Sequence, residues 1–324
     1  MDIKKILITD EVSDKIVQGL RAADLQVDLA SDITPQRILS IIQNYDAVLI
    51  RSRTTITRQI IEAGKNLKLI ARAGVGVDNV DIEAATERSV LVINAPNGNT
   101  VSACELTCAH ILSISRNMYQ ATKSLKDGVW NRKDFVGVEV AQKTLGIIGL
   151  GRIGREVGKR MKAFEMEVIG YDPVTPKSLV EPLGIEFVSL EEIWKRSDCI
   201  TIHVPLIPET KHLINKETIE KCKDGVMIVN CARGGIVDEQ ALLNGLISRK
   251  VHAAALDVFE EEPPMNEELL RNPYLNPTPH LGASTKDGQR RVGEEIVDEI
   301  IKLTKGEKIP GAVNANRLII PFLK

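Results

Sequence analysis

Short apolar runs rich in β-branched residues alternate along this chain with longer segments in which apolar residues recur at helical spacing. In the first part of the chain these runs are KKILITD, LQVDLAS, AVLIRS, LKLIARAG and VLVINAP. Helical patterns lie between them, as in TPQRILSIIQNY, where Ile38, Ile41 and Ile42 fall on one side of a helix. Alternating strands and helices predict a parallel sheet that is covered by helices on both faces.

A turn-forming stretch, APNGNT at residues 95–100, interrupts this pattern. After it we predict one long helix over TVSACELTCAHILSISRNMYQATKSL, and then a second β/α series that runs from KTLGIIGLG to HAAALDVFEEEPP. A final amphipathic helix follows in DGQRRVGEEIVDEIIKLTKG. The fold class is therefore α/β, with two doubly wound parallel-sheet domains. One is discontinuous, formed by residues 1–97 and 288–324, and the other spans residues 98–287.

Composition narrows the possible partners. The net charge is −2 and the sequence pI is about 6.3, so no basic field is present to bind nucleic acid or an anionic membrane. The first residues lack a signal-peptide core, and no apolar stretch approaches the roughly 20 residues of a membrane helix. The cysteines show no zinc-ligand spacing, so we expect no metal, and buried reduced thiols in a cytoplasmic protein. They are Cys104, Cys108, Cys199, Cys222 and Cys231.

A glycine-rich turn indicates a dinucleotide site. Gly149, Gly151 and Gly154 form a G-x-G-x-x-G motif between the strand TLGIIG and a helical segment. The glycines would allow the tight turn, the approach of a pyrophosphate and close helix packing, and the intervening Arg152 and Ile153 would be cofactor neighbours. Asp172 ends the next strand, where an acid binds the ribose hydroxyls and repels a 2′-phosphate, so NAD is expected rather than NADP. Without a ligand, the same motif would be only a tight turn and a surface acid.

Three residues late in the chain suit hydride transfer from an alcohol, which needs a base, a group that orients it and a cation for the substrate. His280 lies in TPHLGAST, at a predicted strand end. Glu262 lies in DVFEEEPP, and Arg233 follows a strand in VNCARGG. Taken singly, they would be a structural histidine, an acid in a solvated loop and a surface arginine.

With these motifs together, the sequence resembles the D-isomer-specific 2-hydroxyacid dehydrogenase family. The resemblance is carried by LGIIGLGRIGREV, VNCARGGIVDEQAL, ALDVFEEEPP and PHLGAST. It implies a Rossmann NAD-binding domain, a flavodoxin-like substrate domain and a cleft that closes by hinge motion. It also implies that His280 is the acid/base, that Glu262 bonds its far ring nitrogen, and that Arg233 binds the substrate carboxylate. Further cofactor contacts implied by the resemblance are Val75, Val204, Cys231, Ala232, Arg233, Asp257, His280, Gly282 and Ala283.

The substrate needs a separate argument. Arg51, Arg53 and Arg72 lie at or just past predicted strand ends, where arginines suit a phosphate and a carboxylate; Arg53 is better explained as a solvated residue. RAGVGVDNVD and NAPNGNT resemble the family members that oxidise D-3-phosphoglycerate to 3-phosphohydroxypyruvate, in serine biosynthesis. That resemblance implies phosphate contacts from Arg51 and Arg72. It also implies further substrate contacts from Gly74, Val75, Asn99 and, across a subunit boundary, Arg132.

Two other functions stay open. An NAD-dependent glyoxylate/hydroxypyruvate reductase would share the catalytic residues without needing both Arg51 and Arg72. A dinucleotide-sensing regulator would share the fold without turnover, and a turnover assay separates it from an enzyme.

Assembly and regulation carry two further expectations. The apolar helix after Thr100 suggests a homodimer or higher homo-oligomer, although burial inside its own domain would explain it equally. Many relatives extend further, with domains that sense serine, whereas this chain ends soon after its last helix. We therefore expect a short natural form or a trimmed chain, without serine feedback.

Overall fold

The computed structural model describes residues Met1–Leu318. The chain divides into two compact units: Met1–Asn99 with the chain from Thr285 onward, and Thr100–Ser284. We call them the discontinuous unit and the central unit. Their limits lie two and three residues from those drawn from the sequence, and residues 319–324 of the predicted first domain fall outside the described residues. Among Met1–Leu318 no helix is long and apolar enough to cross a membrane.

The discontinuous unit is a parallel sheet with helices between its strands and one more helix at the end of the chain. Its five strands stand in the order β2-β1-β3-β4-β5, which is the flavodoxin-like order predicted above. The strands are β1 Lys5–Ile8, β2 Gln26–Leu29, β3 Ala47–Ile50, β4 Leu69–Arg72 and β5 Leu91–Asn94. The helices are α1 Asp14–Ala22, α2 Pro35–Ile41, α3 Arg58–Ala63, α4 Ile82–Glu87 and, at the end of the chain, α12 Lys286–Lys305.

Position in this sheet explains the composition of its strands. All four residues of the central strand β3 are buried, since helices cover both of its faces, whereas in the edge strand β2 only Val27 is buried. Helix α12 begins after Thr285, whose side chain accepts the N–H of Gly288, and ends at Gly306 in the left-handed conformation. Its apolar face packs into the core of this unit through Val292, Ile296 and neighbouring residues.

The central unit has a larger parallel sheet. The order β12-β11-β10-β9-β6-β7-β8 is a Rossmann order with one added strand, and it reverses between β6 and β9. The strands are β6 Thr144–Ile148, β7 Glu167–Tyr171, β8 Glu186–Phe187, β9 Cys199–Ile202, β10 Val226–Asn230, β11 Val251–Leu256 and β12 Leu275–Pro277. The helices are α5 Thr100–Ser115, α6 Met118–Lys126, α7 Arg152–Ala163, α8 Leu190–Arg196, α9 Lys216–Lys221, α10 Glu239–Ile247 and α11 Glu267–Arg271.

The single long helix predicted after residue 99 is wrong. The segment forms α5 and α6, separated at Asn117, whose backbone takes a left-handed φ of 50°. Asparagine tolerates that conformation better than most residues, and one such residue is enough to break a helix. The buried face of α5 packs inside its own unit, against α7 and the strands β10 and β11.

Candidate active site

The glycine-rich turn follows β6, beside the point where the strand order reverses. Gly149 has a φ of +98°, and a Cβ there would lie 2.5 Å from the carbonyl oxygen of His203. Both the backbone conformation and this close contact therefore exclude a side chain. Gly154 lies in α7, and its Cβ would lie 2.0 Å from the carbonyl oxygen of Gly149. These two contacts bring strand, turn and helix as close together as a dinucleotide turn requires.

Gly151 differs from its two neighbours in the motif. A Cβ at Gly151 would meet no atom within 4 Å. Gly151 is the residue just before α7, so there is open space beside the start of this helix. The adjacent Arg152 is exposed in the first turn of that helix, and Ile153 is half-buried against the core. Open space at a helix N-terminus, with a cation beside it, fits the pyrophosphate of a dinucleotide.

Asp172, which follows β7, is held as a carboxylate. It accepts hydrogen bonds from the N–H groups of Leu150, Val174 and Thr175, each at 2.8 Å, and from the Thr175 hydroxyl at 2.9 Å. Burial raises the pKa of Asp172, but these bonds outweigh burial and leave the pKa below its ordinary value. A fixed negative charge at this strand end suits ribose hydroxyls and opposes a further phosphate.

The loop after β10 carries Arg233 and is fixed by the strand's last residue. The Asn230 side chain donates to the Arg233 carbonyl at 2.8 Å and accepts the Ala232 N–H at 3.0 Å. A Cβ at Gly234 would lie 1.6 Å from the Phe259 carbonyl oxygen, so only glycine allows this close approach. The Arg233 loop is thereby packed against the segment that leads to Glu262.

Glu262 and His280 lie within hydrogen-bond distance of each other, as the family resemblance implied. Oε2 of Glu262 lies 2.8 Å from Nδ1 of His280, and Oε1 accepts the N–H of Phe259 at 3.3 Å. The two side chains are 40% and 50% exposed. Since Nδ1 faces the carboxylate, Nε2 is the ring atom that remains to exchange a proton with a substrate.

The neighbouring acid Glu260 is engaged elsewhere. One of its oxygens lies 3.1 Å from Nε2 of His212 and accepts the N–H of Glu239 at 3.2 Å. Of these two acids, Glu262 is therefore the one placed to act with His280.

The other predicted cofactor residues of the central unit lie around the same strand ends. Val204 is half-buried, with Cγ1 2.9 Å from where a Cβ of Gly149 would be, so its side chain packs against the turn. Cys231 and Ala232 are half-buried after β10, and Ala283 is exposed after His280. Asp257 and Gly282 are buried, and they bond to each other.

The predicted substrate arginines lie in the discontinuous unit. Arg51 follows β3, and its Nη1 donates to the Glu11 carbonyl at 3.1 Å. Arg72 ends β4, and its guanidinium passes over Gly74. Arg53 is 59% exposed and bonds to Asp32 at 3.0 Å, as the solvated interpretation predicted.

The other predicted substrate contacts of the discontinuous unit take part in local hydrogen bonds or are buried. The N–H of Gly74 donates to the Arg72 carbonyl at 2.8 Å, because the chain turns tightly after β4, so Gly74 does not present a free donor. The carbonyl of Val75 accepts the Asn94 amide, and the Asn99 side-chain oxygen is buried without a hydrogen-bond partner among the described residues. Gly74, Val75 and Asn99 stay predicted substrate contacts.

The remaining predictions for the central unit concern Arg132, the cysteines and the absence of a metal site. Arg132 is exposed just before a short 3-10 turn. All five cysteines are free thiols, and four of them are buried. Among Met1–Leu318 no group of three or more metal-ligating side chains could hold a metal ion.

Sequence reasoning missed the polar residues that hold these loops. Asp10 and Asn79 fix the Arg51 loop: Asp10 accepts the N–H of Arg51, and Asn79 donates to its carbonyl at 2.7 Å. Asn230 likewise donates to the carbonyl of Arg233, and the Thr278 hydroxyl donates to the carboxylate of Asp257. A polar residue at the end of an apolar strand was the available signal for Asp10 and Asn230.

A Rossmann sheet with a dinucleotide turn, an ionised acid after the second strand of that sheet and a carboxylate–histidine pair define the class of nicotinamide-dependent dehydrogenases. Comparison with known proteins gives the family. Residues 108–282 match the model of the D-isomer specific 2-hydroxyacid dehydrogenase, NAD binding domain. The chain belongs to this family, and that part of it is the NAD-binding domain.

Curated relatives match almost the whole chain. It is 47% identical to D-3-phosphoglycerate dehydrogenase of Rattus norvegicus and 48% identical to the protein of that name from Methanocaldococcus jannaschii. These matches cover 99% and 96% of this chain but 60% and 59% of those relatives. The chain therefore spans about three fifths of the length of the curated relatives it matches.

Solved structures of related enzymes share the fold. A glyoxylate reductase from Paecilomyes thermophila superposes with a TM-score of 0.90 at 29% identity, covering 98% of this chain and 100% of that one. A D-lactate dehydrogenase from Aquifex aeolicus, complexed with NAD and lactic acid, gives 0.81 at 28% identity, covering 94% and 96%.

Proposed function

We propose that this chain oxidises D-3-phosphoglycerate to 3-phosphohydroxypyruvate with NAD, the first step of phosphorylated serine biosynthesis. The observation that carries the chemistry is the 2.8 Å contact between Glu262 and His280, beside the packed Arg233 loop. The substrate rests on the curated relatives, named D-3-phosphoglycerate dehydrogenase, at 44–48% identity over nearly the whole chain.

His280 acts as the acid/base through Nε2. In oxidation the neutral ring takes the proton of the substrate hydroxyl, and the carboxylate of Glu262 stabilises the imidazolium that forms. In reduction the charged ring returns that proton to the new alkoxide. NAD, when bound, accepts the hydride from the substrate carbon that carries this hydroxyl.

Arg233 holds the substrate carboxylate next to this pair. A guanidinium can bind a carboxylate by two parallel hydrogen bonds, which fixes the orientation of the reacting carbon. The main chain around Arg233 is already fixed by Asn230, so little further ordering is needed when substrate binds.

The phosphate end is assigned to Arg51 and Arg72 of the discontinuous unit, and Gly74, Val75 and Asn99 are proposed as further substrate contacts. Two guanidinium groups provide the charge-assisted bonds that a dianionic phosphate needs. The net charge of the chain is −2, so these placed cations, and not a general positive field, would attract the substrate.

NAD is proposed as the cofactor in preference to NADP. The four hydrogen bonds that Asp172 accepts keep it charged and in place. A carboxylate fixed in that position accepts bonds from both ribose hydroxyls and repels a 2′-phosphate.

A homodimer is proposed on the basis of an exposed apolar surface in the central unit. Residues 118–138 carry seven large hydrophobic side chains that are exposed: Met118, Tyr119, Leu125, Val129, Trp130, Val136 and Val138. Apolar surface of this extent marks an interaction site, and Arg132 lies within the same segment. Sedimentation at micromolar concentration should give twice the 35.7 kDa of one chain, and a monomer would contradict this assembly.

The five free thiols suit a reducing compartment, so the cytoplasm is the proposed location.

The second candidate is an NAD-dependent glyoxylate/hydroxypyruvate reductase, favoured by the high TM-score with a glyoxylate reductase. A panel of 2-hydroxy and 2-keto acids with NAD or NADH, with and without a phosphate group, separates the two functions. Preference for 3-phosphoglycerate and phosphohydroxypyruvate by at least tenfold in kcat/KM is expected. Preference for glyoxylate would establish the reductase, and no turnover with any acid would refute both.

A further inference from the structure

The loop that carries His280 is wrapped around one buried carboxylate. Asp257 is fully buried directly after β11, and its carbonyl accepts the N–H of His280 at 2.9 Å. Its Oδ1 accepts the N–H of Leu281 at 2.7 Å, and its Oδ2 accepts the N–H of Gly282 at 2.8 Å. Three consecutive residues, His280 to Gly282, therefore each donate a backbone hydrogen bond to Asp257.

The loop needs this anchoring because its backbone is strained. His280 has a φ of 53°, in the left-handed region that a residue with a side chain rarely adopts. Such a conformation persists only where the surroundings fix it. If the loop relaxed, the ring would leave its position 2.8 Å from Glu262.

Thr278 and His110 extend this network of hydrogen bonds. The Thr278 hydroxyl lies 2.6 Å from Oδ1 of Asp257. Both carboxylate oxygens already accept N–H groups, so the hydroxyl is the donor in this contact. Nε2 of His110, on α5, lies 3.1 Å from the same hydroxyl and must then donate to it.

His110 suits this role because it is buried and neutral. Its side chain belongs to the buried face of α5, and the residue is 5% exposed. Burial lowers the pKa of His110 below its ordinary value, while the nearby Asp257 acts in the opposite direction. The neutral ring with a proton on Nε2 remains the stable form at neutral pH. His110 therefore donates to Thr278, and Thr278 donates to Asp257.

We propose that Thr278 and His110 are positioning residues for the reaction. They fix the carboxylate of Asp257, which in turn holds His280 in its strained conformation against Glu262. This proposal rests on the proposed function, because it assumes that His280 is the acid/base. It assigns no contact with substrate or cofactor to either residue.

The test compares Thr278→Val, which keeps the shape but removes the hydroxyl, with Thr278→Ser, which keeps the hydroxyl. Thr278→Val should lower kcat about 10- to 100-fold, and the change in the NAD dissociation constant should be smaller than the change in kcat. Thr278→Ser should restore kcat to within about threefold of the native protein. His110→Leu should lower kcat about 3- to 10-fold, and His110→Gln, which keeps an N–H donor, should lower it less.

Thr201 provides the matched control. Its hydroxyl also contacts a histidine ring, Nε2 of His203 at 3.0 Å, and it is fully buried in the same unit. Thr201→Val therefore loses a similar bond that has no link to His280. We expect kcat to stay within about twofold of the native value in that variant. An equal loss in Thr201→Val and Thr278→Val would overturn the proposal.

A measurement without turnover separates this proposal from the proposed function. Proton NMR of the native protein should show the hydrogen-bonded Nδ1 proton of His280, assigned by its absence in His280→Asn. Thr278→Val should broaden or shift that signal, whereas Thr201→Val should not. An unchanged signal in Thr278→Val would contradict the positioning role, whether or not the chain oxidises 3-phosphoglycerate.

Discussion

Each unit of this protein carries a buried carboxylate that follows a strand and holds a loop, and the two loops do different work. Asp257 is 0% exposed after β11, and Asp10 is 4% exposed after β1. Each accepts a threonine hydroxyl at 2.6 Å, from Thr278 and from Thr54, and each accepts backbone N–H groups of its loop. The two units thus use the same device to fix a loop at the carboxyl end of a parallel sheet.

The difference lies in what each loop presents. The Asp257 loop presents His280 in a strained backbone conformation, with its ring held by Glu262. The Asp10 loop presents Arg51, whose long side chain donates to the backbone carbonyl of Glu11. Proton transfer needs one atom in one place, whereas binding of a phosphate tolerates a mobile cation. Changes in the Asp257 loop should therefore affect kcat, and changes in the Asp10 loop should affect KM.

The largest effect is expected from His280→Asn. Asparagine cannot accept and return the proton, so kcat should fall about 100- to 10,000-fold in both directions. The dissociation constant for NAD, measured by fluorescence titration, should change little. A variant that keeps more than a tenth of the native kcat would remove His280 from the acid/base role.

Next in size is the loss of the phosphate contacts. Arg51→Ala and Arg72→Ala should each raise KM for 3-phosphoglycerate about 10- to 100-fold, since a charge-assisted bond is worth about 1.5–3 kcal/mol. Steady-state kinetics with 3-phosphoglycerate and with an unphosphorylated acid measure this. The control is Arg53→Ala, because Arg53 is exposed and paired with Asp32. Equal losses on both substrates would point to damage to the fold or to the reductase function.

A smaller effect is expected on cofactor choice. Asp172→Ala removes the charge that opposes a 2′-phosphate, so the ratio of kcat/KM for NAD to that for NADP should fall by about tenfold or more. Turnover with both cofactors measures the ratio. If the native protein uses NAD and NADP equally well, Asp172 does not select the cofactor.

The last of these effects concerns stability and comes from a third buried carboxylate. Glu299 on α12 is 1% exposed and accepts one N–H, from Gly311 at 2.9 Å, while its second oxygen has no hydrogen-bond partner among the described residues. Burial raises the pKa of Glu299 from 4.5 to about 7, Glu295 and Asp298 add to this, and Lys302 opposes it. Asp10 and Asp257, by contrast, each accept several hydrogen bonds.

The sign of the pH effect follows from that raised pKa. The folded protein keeps the Glu299 proton that the unfolded chain loses above pH 4.5, so stability falls as pH rises from 4.5 to about 7. Glu299→Gln should remove roughly 2–3 kcal/mol of this loss, as judged from urea unfolding at pH 5 and pH 8. If the variant and the native protein lose stability in parallel, Glu299 is already ionised in the folded state.

Local sequence predicted most of the fold and the residues that present chemistry. The two strand series and the glycine turn follow from short contiguous motifs, whereas the pairing of Glu262 with His280 was implied by the family resemblance. The strand Leu275–Pro277 was missed because three residues that end in proline carry no usable periodicity. The break at Asn117 was missed because neither glycine nor proline marks it.

Contacts between distant positions could not be predicted in this way. Asp10 holds Arg51 across about 40 residues, and His110 reaches Thr278 across 168. These hydrogen bonds depend on which strand ends meet at one edge of a sheet, so they become visible only in the folded chain. The use of the Gly74 N–H in a local turn is likewise a matter of backbone geometry and not of residue type.

The central claim is that Glu262 and His280 act as one acid/base unit on a 2-hydroxy acid. Glu262→Gln keeps the shape and a hydrogen bond but removes the charge beside the ring. The measurement is a pH series of kcat/KM in both directions, for the native protein and this variant. In the variant, the alkaline limb for reduction and the acidic limb for oxidation should both move to lower pH, because the charged imidazole has lost its partner. Limbs that stay in place would contradict the account and separate the proton transfer from Glu262.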